Sequence, residues 1–378
     1  MKTKPGHFIL IYGWFQDQQT PKQFLNLLFQ TSFYTVKKEK YNMKWIIPDH
    51  EYKERMEKDV EPWLESIRQT RRLSRNKNEW IYTESYKLPQ SKGIVVISHG
   101  YTEACRKYYE VIYYFLKEGY DVYIMDHCGH GKSYRLTDSK CPIHIDTKER
   151  YIEDFTFFCR RIKEENPGKP FHIYCHSMGG GIGLTTAGRN PDLFDTITAS
   201  SPMVRPKVLV PSGLVTAAAD FLNHFKLGTC FVPGQKPYKS ETFKQSCMTS
   251  KDRFDYYQPI RDENEYLHTS GYSWKWAGEA CRFYKELLQI QEKGLGAPLL
   301  LFQAGKENLV DNKASTRFVK EISKKSPARL EVVKNAKHEI YCSESTILEN
   351  YFDQIFRFLN SKDTCAMPSA KEDEKSPS

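Results

Sequence analysis

The stretch Ile173-Tyr174-Cys175-His176-Ser177-Met178-Gly179-Gly180-Gly181 decides the fold. Its first half ends a short apolar run from Phe171 to Cys175, of the kind that forms a strand buried on both faces. Its second half is a glycine-rich helix start. A serine at such a turn is lifted above the sheet, and the next backbone N–H can serve an oxyanion, which is the geometry of a nucleophile elbow. The usual spelling is G-x-S-x-G, and Cys175 stands here where the first glycine is expected. Small residues are wanted there so that the helix can approach the strand, and cysteine is small enough for the turn to survive. Taken alone, the motif is also compatible with a chance serine at the head of a glycine-rich helix.

The pattern on either side lifts it above chance. Upstream, Ile94 to Ser98 reads as a buried strand, Tyr108, Val111, Ile112, Phe115 and Leu116 recur at helical spacing, and Gly119 supplies a stop. A strand follows at Val122 to Met125, then a helix around Tyr151 to Ile162. Downstream come a strand near Thr196 to Ser200, another at Leu299 to Gln303, and a helix at Ala314 to Ile322. A strand at Leu330 to Lys334 precedes a last helix, in which Leu348, Tyr351, Phe352, Ile355 and Leu359 share a face. Repeated strand-helix units imply a doubly wound, mostly parallel α/β sheet covered on both sides. The rhythm breaks between 201 and 293, which reads as a cap inserted between strands, so the core comprises 79–200 and 294–361. Residues 1–78 read as a peripheral, mainly helical segment, and 362–378 have the composition of a disordered tail.

A serine needs a base to take its proton, and that base needs an acid to fix its tautomer and stabilise the imidazolium. In the fold suggested, the chain order is serine, acid, histidine. His338, within Asn335-Ala336-Lys337-His338-Glu339, follows the last strand. A lone loop histidine is commonplace, but this position makes it the candidate base. The acid belongs after the preceding strand, where Glu307 falls on a loop and Asp311 precedes a helix it would cap. Glu307 is therefore the favoured acid, with Asp311 as the competing choice. The loop Ser98-His99-Gly100-Tyr101-Thr102-Glu103 follows the first strand of the pattern, so the N–H groups of Tyr101 and Met178 are expected to form an oxyanion hole. Such donors contribute on the order of 3 kcal/mol each. This chemistry calls for no metal and no cofactor.

With 378 residues the chain can bury a substantial core without staples. Its ten cysteines form no CxxC pair and read as reduced thiols of a cytoplasmic protein. The net charge of +9 is dispersed, apart from Arg68, Arg71, Arg72, Arg75 and Lys77. That cluster is expected to be a solvated helix face or a contact for anionic lipid, and no nucleic-acid module accompanies it. The apolar stretch Phe8 to Phe15 lacks a signal-peptide cleavage site, and no segment has the length of a membrane span. Three decoys are set aside. Gly131-Lys132-Ser133 lacks the first glycine of a phosphate loop, His127, Cys128 and His130 lack a second ligand cluster, and Gly271-Tyr272-Ser273-Trp274-Lys275 copies half an elbow without the strand.

These parts in this order resemble the lysophospholipase and monoacylglycerol-lipase branch of the α/β-hydrolases, often labelled serine aminopeptidase-like hydrolases. The similar stretches are His99 to Glu103, Asp126 to Ser133, His176 to Gly180, Ser201-Pro202-Met203, Gln303 to Asn312 and Ala336 to Glu339, spanning about 90–360. Bacterial-type lysophospholipases look most similar, some of which also replace the first elbow glycine and use glutamate as the acid. The resemblance implies catalytic roles for Ser177, Glu307 and His338, and a small amphiphilic fatty-acyl ester held beneath the cap. Candidate substrate contacts are His99, Met203, Leu209, Phe221, Phe225, Trp274, Trp276 and Phe283, for each of which core packing is the competing reading. Peripheral membrane contact through the cap or through 68–77 is a further expectation. Transfer to another acceptor, peptide or thioester cleavage, and a noncatalytic binding role all remain open, as does the oligomeric state.

Overall fold

The structure, a computed structural model of the chain, describes residues 45–208 and 210–361. The expected tail, the first part of the N-terminal segment and Leu209 lie outside these residues. Eight strands form one sheet: β1 (Arg68–Asn76), β2 (Glu79–Tyr86), β3 (Ile94–Ser98), β4 (Asp121–Met125), β5 (Phe171–His176), β6 (Thr196–Ser200), β7 (Leu299–Ala304) and β8 (Ala328–Val333). Their spatial order is β1-β2-β4-β3-β5-β6-β7-β8. The six strands from β3 onward pair in parallel, while β1 and β2 are antiparallel additions at one edge.

Strands β3 to β7 are buried along their whole length, as parallel strands covered on both faces are. Alternation then divides their side chains between two cores. Ile94, Val96, Ile173 and Leu301 join one, and Val95, Ile97, Tyr174 and Leu300 the other. The first core is closed by α3 (Lys148–Glu165), α4 (Ser177–Arg189), α7 (Trp274–Lys293) and α8 (Asn312–Ile322). The second is closed by α1 (Glu61–Ile67) with the helical turns before it, by α2 (Tyr109–Lys117) and by α9 (Ser345–Asn360). Between β6 and α7 lie α5 (Ser212–His224) and α6 (Lys251–Glu263).

Two expectations need correction. The basic cluster at 68–77 is not a helix face: Arg68, Arg71, Arg72 and Arg75 lie on β1, paired along β2. Strand β1 is the sheet edge and most of its residues are exposed, so no alternation of polar and apolar residues marks it. Arg71 reaches Glu165 at 3.0 Å and Arg75 reaches Asp154 at 2.6 Å, both on α3. The second correction concerns the insertion, which does not extend to 293 as one cap. Helix α7 buries Phe283, Leu287 and Ile290 in the first core. It lies so close to α4 that a Cβ on Gly188 would come within 2.5 Å of Ile290. Strands β6 and β7 are parallel, so a crossover helix must join them, and α7 supplies it.

Burial drives the ring of His176 from 6.5 to about 3 and that of His172 to about 4. It also lowers His99, His127 and His130. These rings stay neutral in the fold and take up protons near 6.5 once unfolded, so below that pH the unfolded chain binds more protons. Burial raises Glu84 and Asp154, which act in the opposite sense but are fewer. Stability is expected to fall as pH drops from 6.5 toward 4, by up to about 1.4 kcal/mol per pH unit for each such histidine. Urea midpoints at roughly pH 7.5, 6 and 5 check this, and a midpoint that does not move would contradict it.

Candidate active site

Strand β5 ends at His176 and α4 begins at Ser177, whose φ of +52° lies in the left-handed region. For a residue with a Cβ that conformation costs about 1–2 kcal/mol, and the packing around it must hold it. A Cβ on Gly179 would lie 2.2 Å from the Ser98 carbonyl oxygen and 2.4 Å from that of His99, so only glycine lets α4 come this close to β3. Cys175 is tolerated for a related reason. Gly183 faces it across the helix-sheet contact, and a Cβ there would lie 3.0 Å from Cys175 Sγ and 2.7 Å from Ile173 Cδ1. Space that an elbow glycine would leave on the strand is provided here on the helix.

Ser177 Oγ is 2.7 Å from His338 Nε2, and His338 Nδ1 is 2.7 Å from Glu307 Oε2. The other oxygen of Glu307 accepts backbone N–H groups from Asn308, Leu309 and Val310 at 2.9, 2.8 and 3.3 Å. Burial alone would raise the Glu307 pKa, but the bond to His338 and these N–H donors outweigh it and hold the carboxyl below its usual range. Asp311 has a different task. Its side chain caps α8 by accepting from Lys313 and Ala314 N–H, and it pairs with Arg205.

Tyr101 and Met178 flank Ser177, the former on the loop after β3 and the latter in the first turn of α4, where backbone N–H groups have no intrahelical acceptor. A cavity of about 110 Å³ opens above Ser177 and His338. Its walls are polar and apolar in about equal measure, with Lys107, Glu241, Gln258, Arg261 and Glu339 set among Met248, Phe254, Tyr257 and Leu309. Lys107 pairs with Glu339 at 2.6 Å and Arg261 with Glu241 at 3.1 Å. Helix α6, which carries Gln258 and Arg261, is fixed to the body by the fully buried Arg253. That guanidinium holds Glu110 and Asp49, each at 2.6 Å, and the Ile47 carbonyl at 3.1 Å.

Among the described residues, none of the apolar contacts expected from the sequence lines this cavity. His99 is buried, with Nδ1 against the Gly100 carbonyl and Nε2 accepting His127 N–H. Met203 packs in the core, its N–H donating to the Ser177 carbonyl at 2.7 Å. Trp276 stands behind Tyr101, ring centroids 4.9 Å apart, and bonds Tyr151. Trp274 is half-buried at the start of α7, and Phe283 is core. Phe221 and Phe225 are 64% and 57% exposed. Of the decoys, Ser273 caps α7, and the 126–133 loop is braced by Asp126, which accepts Cys105 and Lys132 N–H.

The family described as serine aminopeptidase, S33, matches residues 89–345, which contain Ser177, Glu307, His338 and every residue that lines the cavity. The chain belongs to that family. A probable lysophospholipase L2 of Haemophilus influenzae is 26% identical to this S33 hydrolase, over 71% of this chain and 83% of its own. Lysophospholipase L2 of Escherichia coli is 27% identical over 71% and 80%. A soluble variant of monoglyceride lipase from Saccharomyces cerevisiae, solved with a substrate analog, aligns with a TM-score of 0.62 at 16% identity. That alignment covers 77% of this chain and 94% of the other, and it establishes a shared α/β-hydrolase fold.

The two acidic candidates in this S33 hydrolase are separable by experiment. Glu307→Ala is expected to lower kcat on an activated acyl ester by on the order of 10³–10⁴, with a stability loss of about 1–3 kcal/mol from the backbone N–H groups left unpaired. Asp311→Ala is expected to cost about 1 kcal/mol of stability through the lost cap and to leave kcat within about threefold. Steady-state kinetics and thermal melts of both variants check the assignment, and a reversed pattern would exchange the two roles.

Proposed function

We propose that this S33 hydrolase is a serine carboxylic ester hydrolase acting on a fatty-acyl ester of a polar alcohol, a lysophospholipid or a monoacylglycerol. The observation that carries the proposal is the unbroken line from Ser177 Oγ through His338 to Glu307, with both links at 2.7 Å. With its Nδ1–H donated to Glu307, the imidazole keeps Nε2 as an acceptor for the serine proton. Ser177 then attacks the ester carbonyl, the N–H groups of Tyr101 and Met178 receive the oxyanion, and His338 returns the proton to the leaving alcohol. Water, activated by the same histidine, releases the acyl group. The names of the relatives support the lipid substrate, and the charged residues in the cavity wall support a polar alcohol portion above Ser177.

In this reading, residues 201–273 cap the site, with α6 as a fixed wall and α5 as an outer surface. Val208, Val210, Leu214, Phe221, Phe225 and Leu227 are all exposed along this surface, and the Phe221 and Phe225 rings are 5.0 Å apart. The patch adjoins the site, since Lys207 N–H bonds the carbonyl of Leu309, an exposed residue that lines the cavity. Exposed Lys207 and Lys226 flank it. An apolar patch bordered by lysines favours peripheral contact with an anionic lipid surface. The paired arginines of β1 are a weaker candidate for that contact. No helix among the described residues is long and apolar enough to cross a membrane. A cytoplasmic location belongs to the same reading, supported by the nine described cysteines, all of them free thiols and six of them buried.

Ser177→Ala is expected to lose on the order of 10⁴-fold in kcat on p-nitrophenyl esters, monoacylglycerol and lysophosphatidylcholine, and full activity in that variant would sink the proposal. The wild-type panel names the alcohol. For the surface, Phe221→Ser combined with Phe225→Ser is expected to weaken sedimentation with phosphatidylglycerol vesicles by about tenfold or more. Turnover of a short soluble ester is expected to stay unchanged, and equal vesicle binding by both proteins would remove α5 from the membrane contact.

A further inference from the structure

The carboxylate of Glu103, 3% exposed, is engaged on every side. Oε2 accepts Gly100 N–H at 2.6 Å and the Tyr108 hydroxyl at 2.7 Å. Oε1 accepts the Tyr341 hydroxyl at 2.5 Å, with Lys107 Nζ at 3.4 Å and His176 Nε2 at 3.8 Å. These partners belong to the segments that the site must keep in register. Gly100 precedes Tyr101, His176 precedes the nucleophile, and Tyr341 lies on the turn that follows His338. The Tyr341 ring stacks on Tyr108 at 5.0 Å and meets His176 edge-on at 5.1 Å. Thr102, inside the loop that Glu103 closes, has a φ of +61°, so the loop holds an unfavourable conformation that needs an external tie.

We infer that Glu103 is a positioning residue, which sets the Tyr101 N–H against Ser177 and His338, and that it is not a ligand for the substrate's alcohol. The inference rests on the reading of Tyr101 as an oxyanion donor. Glu103 lies in the cavity wall, where a carboxylate invites the assignment of a headgroup contact. A carboxylate offers about four acceptor sites; Gly100, Tyr108 and Tyr341 take three of them, and the ammonium of Lys107 stands 3.4 Å from Oε1. A substrate hydroxyl would have to displace one of these donors or compete with Lys107 for the place that is left. Burial alone would raise the pKa, but the Lys107 ammonium and the two tyrosine hydroxyls outweigh it, so Glu103 stays an ionised acceptor.

Glu103→Gln keeps the shape but turns an NH₂ group toward two of the donors. It is expected to lower kcat by about 30- to 100-fold, equally on p-nitrophenyl butyrate and on monoacylglycerol, with KM within about twofold. Binding of an alkyl trifluoromethyl ketone, whose serine adduct carries the oxyanion, is expected to weaken by the same factor. Tyr341→Phe removes one tie, leaves the carboxylate in place, and is expected to give a smaller loss of the same kind; it carries the test alone if Glu103→Gln does not fold. Unchanged kcat in the folded variants overturns the inference. So does a rise in KM confined to esters of hydroxylated alcohols, which would make Glu103 a substrate ligand. Ser177→Ala assayed in parallel separates the failures, since activity there would undo the nucleophile assignment whatever Glu103 does.

Discussion

Helix α4 meets the sheet backbone to backbone, with Gly179 against the carbonyls of Ser98 and His99 and Gly183 against the side chains of β5. That approach sets the left-handed turn at Ser177, the direction of its hydroxyl and the position of the Met178 N–H. The turn is unfavourable in isolation and persists because the surrounding close packing leaves it no alternative. His338 and Glu307 sit on loops at the ends of β8 and β7, and their distances from Ser177 are useful only while that helix-sheet spacing holds. The Cys175 and Gly183 pair indicates that the constraint acts on the summed volume across the contact and not on the identity of one residue.

How much of this could be read from the chain alone follows the same physics. Parallel strands buried on both faces announce themselves as apolar runs, and β3 to β7 were legible within a residue or two. That the side chains of Ser177, Glu307 and His338 would come together was legible because strand order fixes which loops converge. Asp311 was separable from Glu307 because a carboxylate directly ahead of a helix has a capping task. Strand β1 was not legible, since an edge strand is specified by its partner β2 and not by a buried face. The cavity wall was not legible either. Aromatic residues such as Phe221 and Trp276 suit a fatty-chain site by composition, whereas the wall beside Ser177 mixes apolar side chains with ion pairs whose partners are distant in sequence, Lys107 with Glu339 above all.

Buried charge is concentrated on one side of the site. Arg253 with Glu110 and Asp49, and Glu103 with Lys107, carry a desolvation cost that hydrophobic residues of similar volume would avoid. What such networks supply is geometric. Each donor and acceptor must be met, so α6 and the loop after β3 have few alternative positions. The insertion thus divides into α6, held by a buried guanidinium, and α5, whose outer face carries two exposed phenylalanines.

The edge strand β1 has a further consequence for how molecules of this protein meet one another. A sheet that ends in an open strand offers unpaired backbone groups to any similar strand, and polypeptides that leave such an edge apolar tend to stack through it. Here the edge carries Arg68, Arg71, Arg72 and Arg75. Bringing two such edges together would force long, ion-paired arginine side chains to be repacked and desolvated, so these residues also discourage self-association through the sheet.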